Sequence, residues 1–241
     1  MTTLNKKDVK SPDKFLRELR MGFQWTTQHS KMVAGVVLLC LIVAGGVATK
    51  SYLDQKKEAQ LQAQYFPLEK AFLDKKAALT EGKTEKATGD LEKDYGSTPA
   101  DLMKIVEQAP GSKAGKMAAL QVAEVSIQYK KLDQANKALS LADTKSNDLL
   151  SAMVLAQLGT LQADDNKCKE AVATWEKIIN NSSVKFLHGE IRLKQALCYE
   201  NLNETTKAEQ LYSQVKEEEK ESPVGQSANK YLKLLQAKKV N

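Results

Sequence analysis

An uninterrupted apolar stretch near the N-terminus constrains this chain more than any other feature. Residues 32–48 contain no charged side chain, and Lys31 and Lys50 stand at the two borders. A helix needs about 20 mostly apolar residues to cross a bilayer, with a usable lower limit of about 17. We therefore predict a transmembrane helix over residues 32–49, preceded by a basic tail over residues 1–31 and followed by a long polar region.

The charges around this segment predict its orientation. The first 31 residues carry a net charge of +4, out of +6 for the whole chain. Basic residues beside a span remain in the cytoplasm, whereas a long following domain is translocated largely regardless of its charge. We predict a single-pass protein of the bacterial inner membrane, with a cytoplasmic N-terminus and a periplasmic C-terminal domain.

A cleaved signal peptide is the main alternative, since Gly46-Val47-Ala48 has the small-x-small form that signal peptidase accepts. The tail is long for a signal peptide, and its Phe15, Leu19 and Phe23 recur every four residues, as on one face of a helix. We therefore favour an uncleaved anchor. The tail is expected either to lie along anionic headgroups as a short helix or to be solvated.

The remainder of the chain is predicted to be all-α, because it is rich in Ala, Leu, Lys, Gln and Glu and has no sustained two-residue alternation. Three helix pairs recur, over residues 116–142, 149–179 and 190–215. Each has two small residues 12 positions apart, then apolar residues four and seven positions after the second. These residues are Ala123, Ala135, Leu139 and Ala142, then Gly159, Ala171, Trp175 and Ile178, then Ala196, Ala208, Tyr212 and Val215.

Antiparallel helices approach closely only where the side chains between them are small. The spacing resembles the tetratricopeptide repeat over about residues 113–216, although the unit here is 36 or 37 residues long against the usual 34. The resemblance implies a helical solenoid. Residues 224–235 are expected to form a capping helix.

An earlier half-repeat is expected around Ala100, which lies 35 residues before Ala135. It is degenerate in this register, because Lys104 and Glu107 then fall where apolar residues should be. We accordingly assign residues 50–99 to a juxtamembrane helix and linker, and residues 100–241 to the repeat domain with its C-terminal cap.

The layout as a whole resembles the ancillary subunits of the SecYEG translocon (YfgM-like). Residues 68–83, 109–115 and 118–123 are similar to the juxtamembrane and first-repeat regions of that family, and residues 84–98 read as an insertion. The resemblance implies association with the Sec translocon, with periplasmic chaperones or with exported client proteins. It carries over no catalytic residue.

Tetratricopeptide domains bind proteins, and the first helix of each pair lines a concave groove. The groove positions that carry over to this chain are Met117, Leu120, Glu124, Ile127, Met153, Leu193 and Leu197. Methionine and aliphatic side chains in a groove suit an adaptable apolar partner. The alternative is that these side chains pack against neighbouring helices of the same chain.

No motif predicts catalysis or metal binding. The two histidines, His29 and His188, have no further ligand at suitable spacing. The segment 111–116 superficially resembles a phosphate loop, but it is one residue short, and Met117 stands where Ser or Thr would bind magnesium. No basic patch interleaved with aromatic residues follows the span, so we expect no nucleic acid. We predict a non-enzymatic protein without a cofactor, metal or small-molecule substrate.

Cys168 and Cys198 lie 30 residues apart. Buried free thiols are the expected state, and a disulfide in an oxidising compartment is the alternative. The sequence does not show whether their Cβ atoms meet.

The function favoured by these observations is a membrane-anchored interaction module that accompanies protein export. One alternative is a periplasmic scaffold for envelope or cell-division assembly. Another is an enzyme subunit regulated at the membrane, which the missing catalytic motif disfavours.

Overall fold

The computed structural model describes residues 29–80 and 87–240, together with Met21 and Phe23, apart from the side chains of residues 239–240. The predictions for the rest of the N-terminal tail, and for the start of the insertion at residues 84–86, lie outside the described residues. The regular elements in the described ranges are helices, which confirms the all-α class. They are α1 (Ser30–Thr80), α2 (Leu91–Tyr95), α3 (Thr98–Gln108), α4 (Lys113–Gln128), α5 (Leu132–Ala142), α6 (Leu149–Asp164), α7 (Cys168–Ile179), a 3-10 segment (Ser182–Leu187), α8 (His188–Asn201), α9 (Thr205–Glu218) and α10 (Pro223–Val240).

The chain divides into two compact units, Met1–Lys57 and Glu58–Asn241. The first contains the predicted span, whose side chains are almost all exposed. An 18-residue window of α1 has a mean hydropathy of 2.5, so this helix is long and apolar enough to cross a membrane. The exact domain boundaries given above stay a prediction.

The second unit contains the three predicted helix pairs, α4 with α5, α6 with α7, and α8 with α9. The six small residues at the predicted helix contacts are all buried. The helices of the second pair approach closely at Gly159, where an added Cβ would lie 2.3 Å from Trp175 Nε1. The indole N–H donates to the Ala156 carbonyl at 3.3 Å, so the bulky ring fills the space that the glycine leaves.

The turn inside each pair has the same backbone geometry. Lys130, Asn166 and Asn203 have positive φ angles of 59°, 60° and 60°. In each turn the amide of the next residue donates to a carbonyl five residues earlier, at 2.7 or 2.8 Å. This satisfies a carbonyl left free at the helix end. The three turns are 36 and 37 residues apart, as the small residues are.

The earlier half-repeat exists, but the predicted register was wrong by one residue. Ala100 is exposed, whereas Pro99 is buried and lies 36 residues before Ala135. Met103 and Val106, four and seven residues after Pro99, are buried as the pattern requires. The correct register therefore places Lys104 and Glu107 in solvent, so their charges no longer argue against the repeat.

The C-terminal part of α1 packs into the same core as α3 and α4. Leu61, Tyr65 and Phe72 are at most 4% exposed. The Glu58 carboxylate accepts from the amides of Lys113 and Ala114, both at 3.2 Å. A carboxylate at this position satisfies free N–H groups and complements the positive end of the α4 dipole.

The expectation of free thiols at Cys168 and Cys198 was wrong, because the two residues form a disulfide with a Cα–Cα distance of 5.1 Å. Cys168 begins α7 and Cys198 lies in α8, so the bond joins the second helix pair to the third. Closing a loop of about 30 residues in this way contributes about 3.6 kcal/mol in the chain-entropy account.

Helix α10 covers the end of the third pair. It begins at Pro223, which suits a first helical position, and Ser222 Oγ accepts from the Gly225 amide at 3.0 Å. Leu232 and Leu235 are buried with Val215 in one apolar cluster. The cap therefore removes from water the apolar surface that a further repeat would cover.

One buried ion pair joins the first helix pair to the second. Lys116 in α4 is 2% exposed, and its Nζ lies 2.6 Å from Asp148 Oδ2, just before α6. Burial alone raises the pKa of Asp148, but hydrogen bonds from Lys116, Ser146 and the Ser151 amide outweigh burial and lower that pKa below its usual range. The ionised carboxylate is thus strongly favoured in the folded state.

We expect Ala171→Trp to lower the free energy of unfolding by about 1–3 kcal/mol or more, because Ala171 is fully buried at a helix contact. Lys169→Trp, two residues earlier and exposed, is the control and should change stability by less than about 0.5 kcal/mol. Denaturant unfolding of both variants measures the difference. Equal midpoints would mean that Ala171 is not at a tight contact.

We expect Asp148→Asn to lower the free energy of unfolding by about 1–3 kcal/mol, because Lys116 is left buried without a counter-charge while the amide keeps the cap on Ser151. This loss of unfolding free energy is smaller than the loss expected for a fully buried ion pair, because the Asp148 side chain is 47% exposed and screened by solvent. Asp165→Asn, in an exposed pair with Lys167, is the control, with an effect of less than about 0.5 kcal/mol.

The same pair predicts a pH dependence. The depressed folded-state pKa of Asp148 contributes stability above the unfolded value of about 3.9, and this contribution is lost as the pH falls through the folded-state pKa. The stability difference between wild type and Asp148→Asn should therefore narrow below about pH 4. A constant difference at all pH values would show that the Asp148 charge is not responsible for the effect.

Candidate protein-binding groove

The first helices of the three pairs, α4, α6 and α8, lie side by side. Helix α6 contacts both of the others. Between α6 and α8, the Lys194 ammonium donates to Thr160 Oγ1 at 3.3 Å and pairs with Glu190 at 3.1 Å. The first helices of adjacent pairs are therefore in contact, and a shared surface formed by their groove residues stays a prediction.

The seven predicted groove residues differ in exposure. Met153 is 44% exposed and Leu197 is 36% exposed, so both present apolar surface to solvent. The other four apolar residues are partly buried: three pack against the core that α1, α3 and α4 share, and Leu193 packs against the apolar cluster of Val215, Leu232 and Leu235. Those three are Met117, Leu120 and Ile127. Each partly buried side chain thus has part of its surface in the core and part in solvent.

Glu124, the one predicted charge in the groove, pairs with Lys76 of α1. The Glu124 carboxylate raises the pKa of Lys76 above its ordinary value, because it hydrogen-bonds to the ammonium. The side chains of Lys76 and Glu124 are 40% and 50% exposed, so the pair is screened and contributes little to stability. The charge of Glu124 is thus neutralised by Lys76.

Sequence reasoning missed the contribution of α1 to this surface. Lys76 lies 48 residues before Glu124, beyond any helical periodicity that could connect them. An available signal was the apolar spacing of Leu61, Tyr65, Leu68 and Phe72, which marks residues 58–80 as a packed helix.

The phosphate-loop resemblance at residues 111–116 has a structural explanation. An added Cβ at Gly115 would lie 2.1 Å from the Ala109 carbonyl oxygen, so this glycine permits the close passage of two backbone segments. Ser112 Oγ accepts from the Gly115 amide at 2.9 Å and caps α4. Lys116 is buried and paired with Asp148, away from any ligand. These residues form a helix start.

The other polar candidates are also engaged within the fold. His188 is buried, and its Nε2 lies 3.1 Å from the Asn181 carbonyl oxygen. Within residues 29–80 and 87–240, no three His, Cys, Asp or Glu residues lie close enough together to hold a metal ion. An open cleft of about 480 Å³ lies beside the α5–α6 loop, where Lys177 and Asp143 pair at 2.6 Å. It is separate from the groove residues.

Comparisons with known proteins agree with this architecture. A tetratricopeptide repeat model matches residues 190–222. The solved structure of MamA is 15% identical to this chain with a TM-score of 0.44, and the match covers 64% of this chain and 96% of MamA. A search of curated proteins finds no match. A family model described as a tetratricopeptide repeat-like domain matches residues 24–192, well over half of the sequence, and the chain therefore belongs to that family.

Proposed function

We propose that this protein is a non-enzymatic adaptor, anchored in the bacterial inner membrane with its repeat domain in the periplasm. In this role it assists protein export beside the Sec translocon and passes exported clients to periplasmic chaperones. Tetratricopeptide repeats indicate a protein–protein interaction module. The translocon assignment is supported by the resemblance of residues 68–83 and 109–123 to its ancillary subunits.

The observation that carries the binding role is the exposure of Met153 and Leu197. Both lie on first helices, whereas the contacts inside the helix pairs are made by small buried residues such as Gly159 and Ala196. Apolar side chains that the fold does not bury are available to a partner. Methionine adapts to partners of different shape, which suits a protein that meets many unfolded clients.

Two independent features support the periplasmic location. The net charge of +4 on the first 31 residues favours a cytoplasmic tail. The Cys168–Cys198 disulfide favours an oxidising compartment for the domain, because cytosolic glutathione and thioredoxin keep thiols reduced.

We therefore expect only one of the three cysteines to react with a maleimide when protein from native membranes is denatured without reductant. Cys40 is the free thiol and should take the label. After reduction, all three cysteines should react. Cys40→Ser, as the control, should take no label before reduction. Three labels without reduction would contradict a periplasmic domain.

The groove is tested by Met153→Glu combined with Leu197→Glu. Two new carboxylates on the exposed apolar surface should strongly reduce capture of translocon components, chaperones or clients from gently solubilised membranes, because binding would bury them unpaired. Circular dichroism melting should change little, since both side chains are already solvated. Reduced co-purification together with an unchanged melting curve would support the groove, whereas a lowered melting temperature would show that these side chains belong to the core.

The matched control is Leu132→Glu combined with Leu141→Glu. These two leucines are 47% and 38% exposed, but they lie on α5, a second helix, outside the groove. The control adds the same charge and should leave capture unchanged. Equal loss of capture in both double variants would show that surface charge, and not the groove, is responsible.

A further inference from the structure

The part of α1 within the second unit has two opposite faces. One face is buried in the domain, where Leu61, Tyr65 and Phe72 pack at 4%, 1% and 1% exposure. The opposite face carries two large apolar side chains in solvent, Phe66 at 54% and Leu73 at 50% exposure. A helix already packed on one side gains nothing for its own fold from apolar residues on the other.

The exposed face has the period of a coiled coil. Its members recur at alternating steps of four and three residues, and all are exposed: Ala59, Ala63, Phe66, Lys70, Leu73 and Ala77. In heptad notation Ala59, Phe66 and Leu73 occupy d positions, and the other three occupy a positions. The buried residues Leu61, Tyr65 and Phe72 and the partly buried Leu68 then fall at c and f, the side turned away from such a seam.

The geometry points to a second copy of this chain as the occupant, and we propose that two α1 helices pair in parallel along this seam. The parallel direction rests on the proposed membrane anchor, since copies inserted in one membrane all leave it in the same direction. A parallel pair has two-fold symmetry, so each residue meets its own counterpart. Phe66 then packs on Phe66 and Leu73 on Leu73, while the alanines let the helices approach.

A two-fold pair brings Lys70 of one copy beside Lys70 of the other, and Glu69 supplies the opposite charge for each. Lys70 is the one charged member of the seam, and Glu69 stands beside it at a g position. In a parallel pair, a g residue borders the hole that receives the a residue of the partner helix. Lys70 of one copy therefore lies against Glu69 of the other. A lysine at an a position also fixes the register of the two helices.

Site-directed disulfide cross-linking of the full-length protein in its native membrane tests this pairing. Single changes Ala63→Cys, Phe66→Cys and Ala77→Cys are placed on a Cys40→Ser background and treated with a copper–phenanthroline oxidant. Cross-linked dimer should form several-fold more at these seam positions than at Gln64→Cys, which is exposed but off the seam. Equal cross-linking at seam and off-seam positions, or none at the seam, overturns the proposal.

A charge at the seam provides the second test. Leu73→Glu, added to the Ala63→Cys chain, should abolish the cross-linked dimer, whereas Gln64→Glu should leave it unchanged. Helicity and melting of both variants should match the parent, because both positions are exposed. Undiminished cross-linking with Leu73→Glu would refute the seam.

Partner binding by the first helices and pairing along α1 can be tested independently of each other. The double variant Met153→Glu with Leu197→Glu should retain the dimer while losing partner capture, since neither residue lies on α1. A chain that dimerises along the seam but captures no export partner would leave the pairing intact and remove only the proposed function.

Discussion

Close contact between the two helices of each pair is the constraint on which the rest of this structure depends. It is clearest where Trp175 occupies the space above Gly159, so near that a Cβ would overlap the indole. The other two pairs use Ala123 with Ala135 and Ala196 with Ala208, all fully buried. Since the backbones meet at these small residues, the bulky residue one turn later fills the remaining space, and each pair has one stable packing.

This packing determines which surfaces stay available. The first helices leave Met153 and Leu197 exposed, and the ends of the array are covered by α10 and by residues 58–80 of α1. A repeat array needs such end caps because each repeat buries its apolar face only against a neighbour. Residues 58–80 of α1 therefore have two roles. One face covers and stabilises the first repeat, and the opposite face carries the seam proposed for dimerisation.

The links between neighbouring pairs are chemically different from the contacts inside them. The first and second pairs are joined by the buried Lys116–Asp148 ion pair, and the second and third by the Cys168–Cys198 disulfide. An ion pair needs exact placement of two charges, and a disulfide needs Cβ atoms within bonding reach. Both resist sliding or opening of one pair against the next, and so fix the positions of the first helices relative to each other.

Of the seven predicted groove residues, two have the exposure that the sequence pattern predicts. Met153 and Leu197 lie exposed on first helices, as expected, because a tetratricopeptide register assigns faces as soon as the small residues are aligned. The partial burial of Leu193, and the pairing of Glu124 with Lys76, depend on helices that follow or precede by tens of residues. A local pattern cannot show how closely such helices approach.

The sequence by itself determined the apolar helix, the all-α class, the repeat length and the small residues at the helix contacts, because each of these is a property of composition or of spacing along one or two helices. Only the tertiary structure decided the register at Pro99, the bond between Cys168 and Cys198, the burial of Lys116 and the two opposite faces of residues 58–80. These depend on which distant residues come together in space. That is set by the packing of the whole array, and no spacing within one helix encodes it.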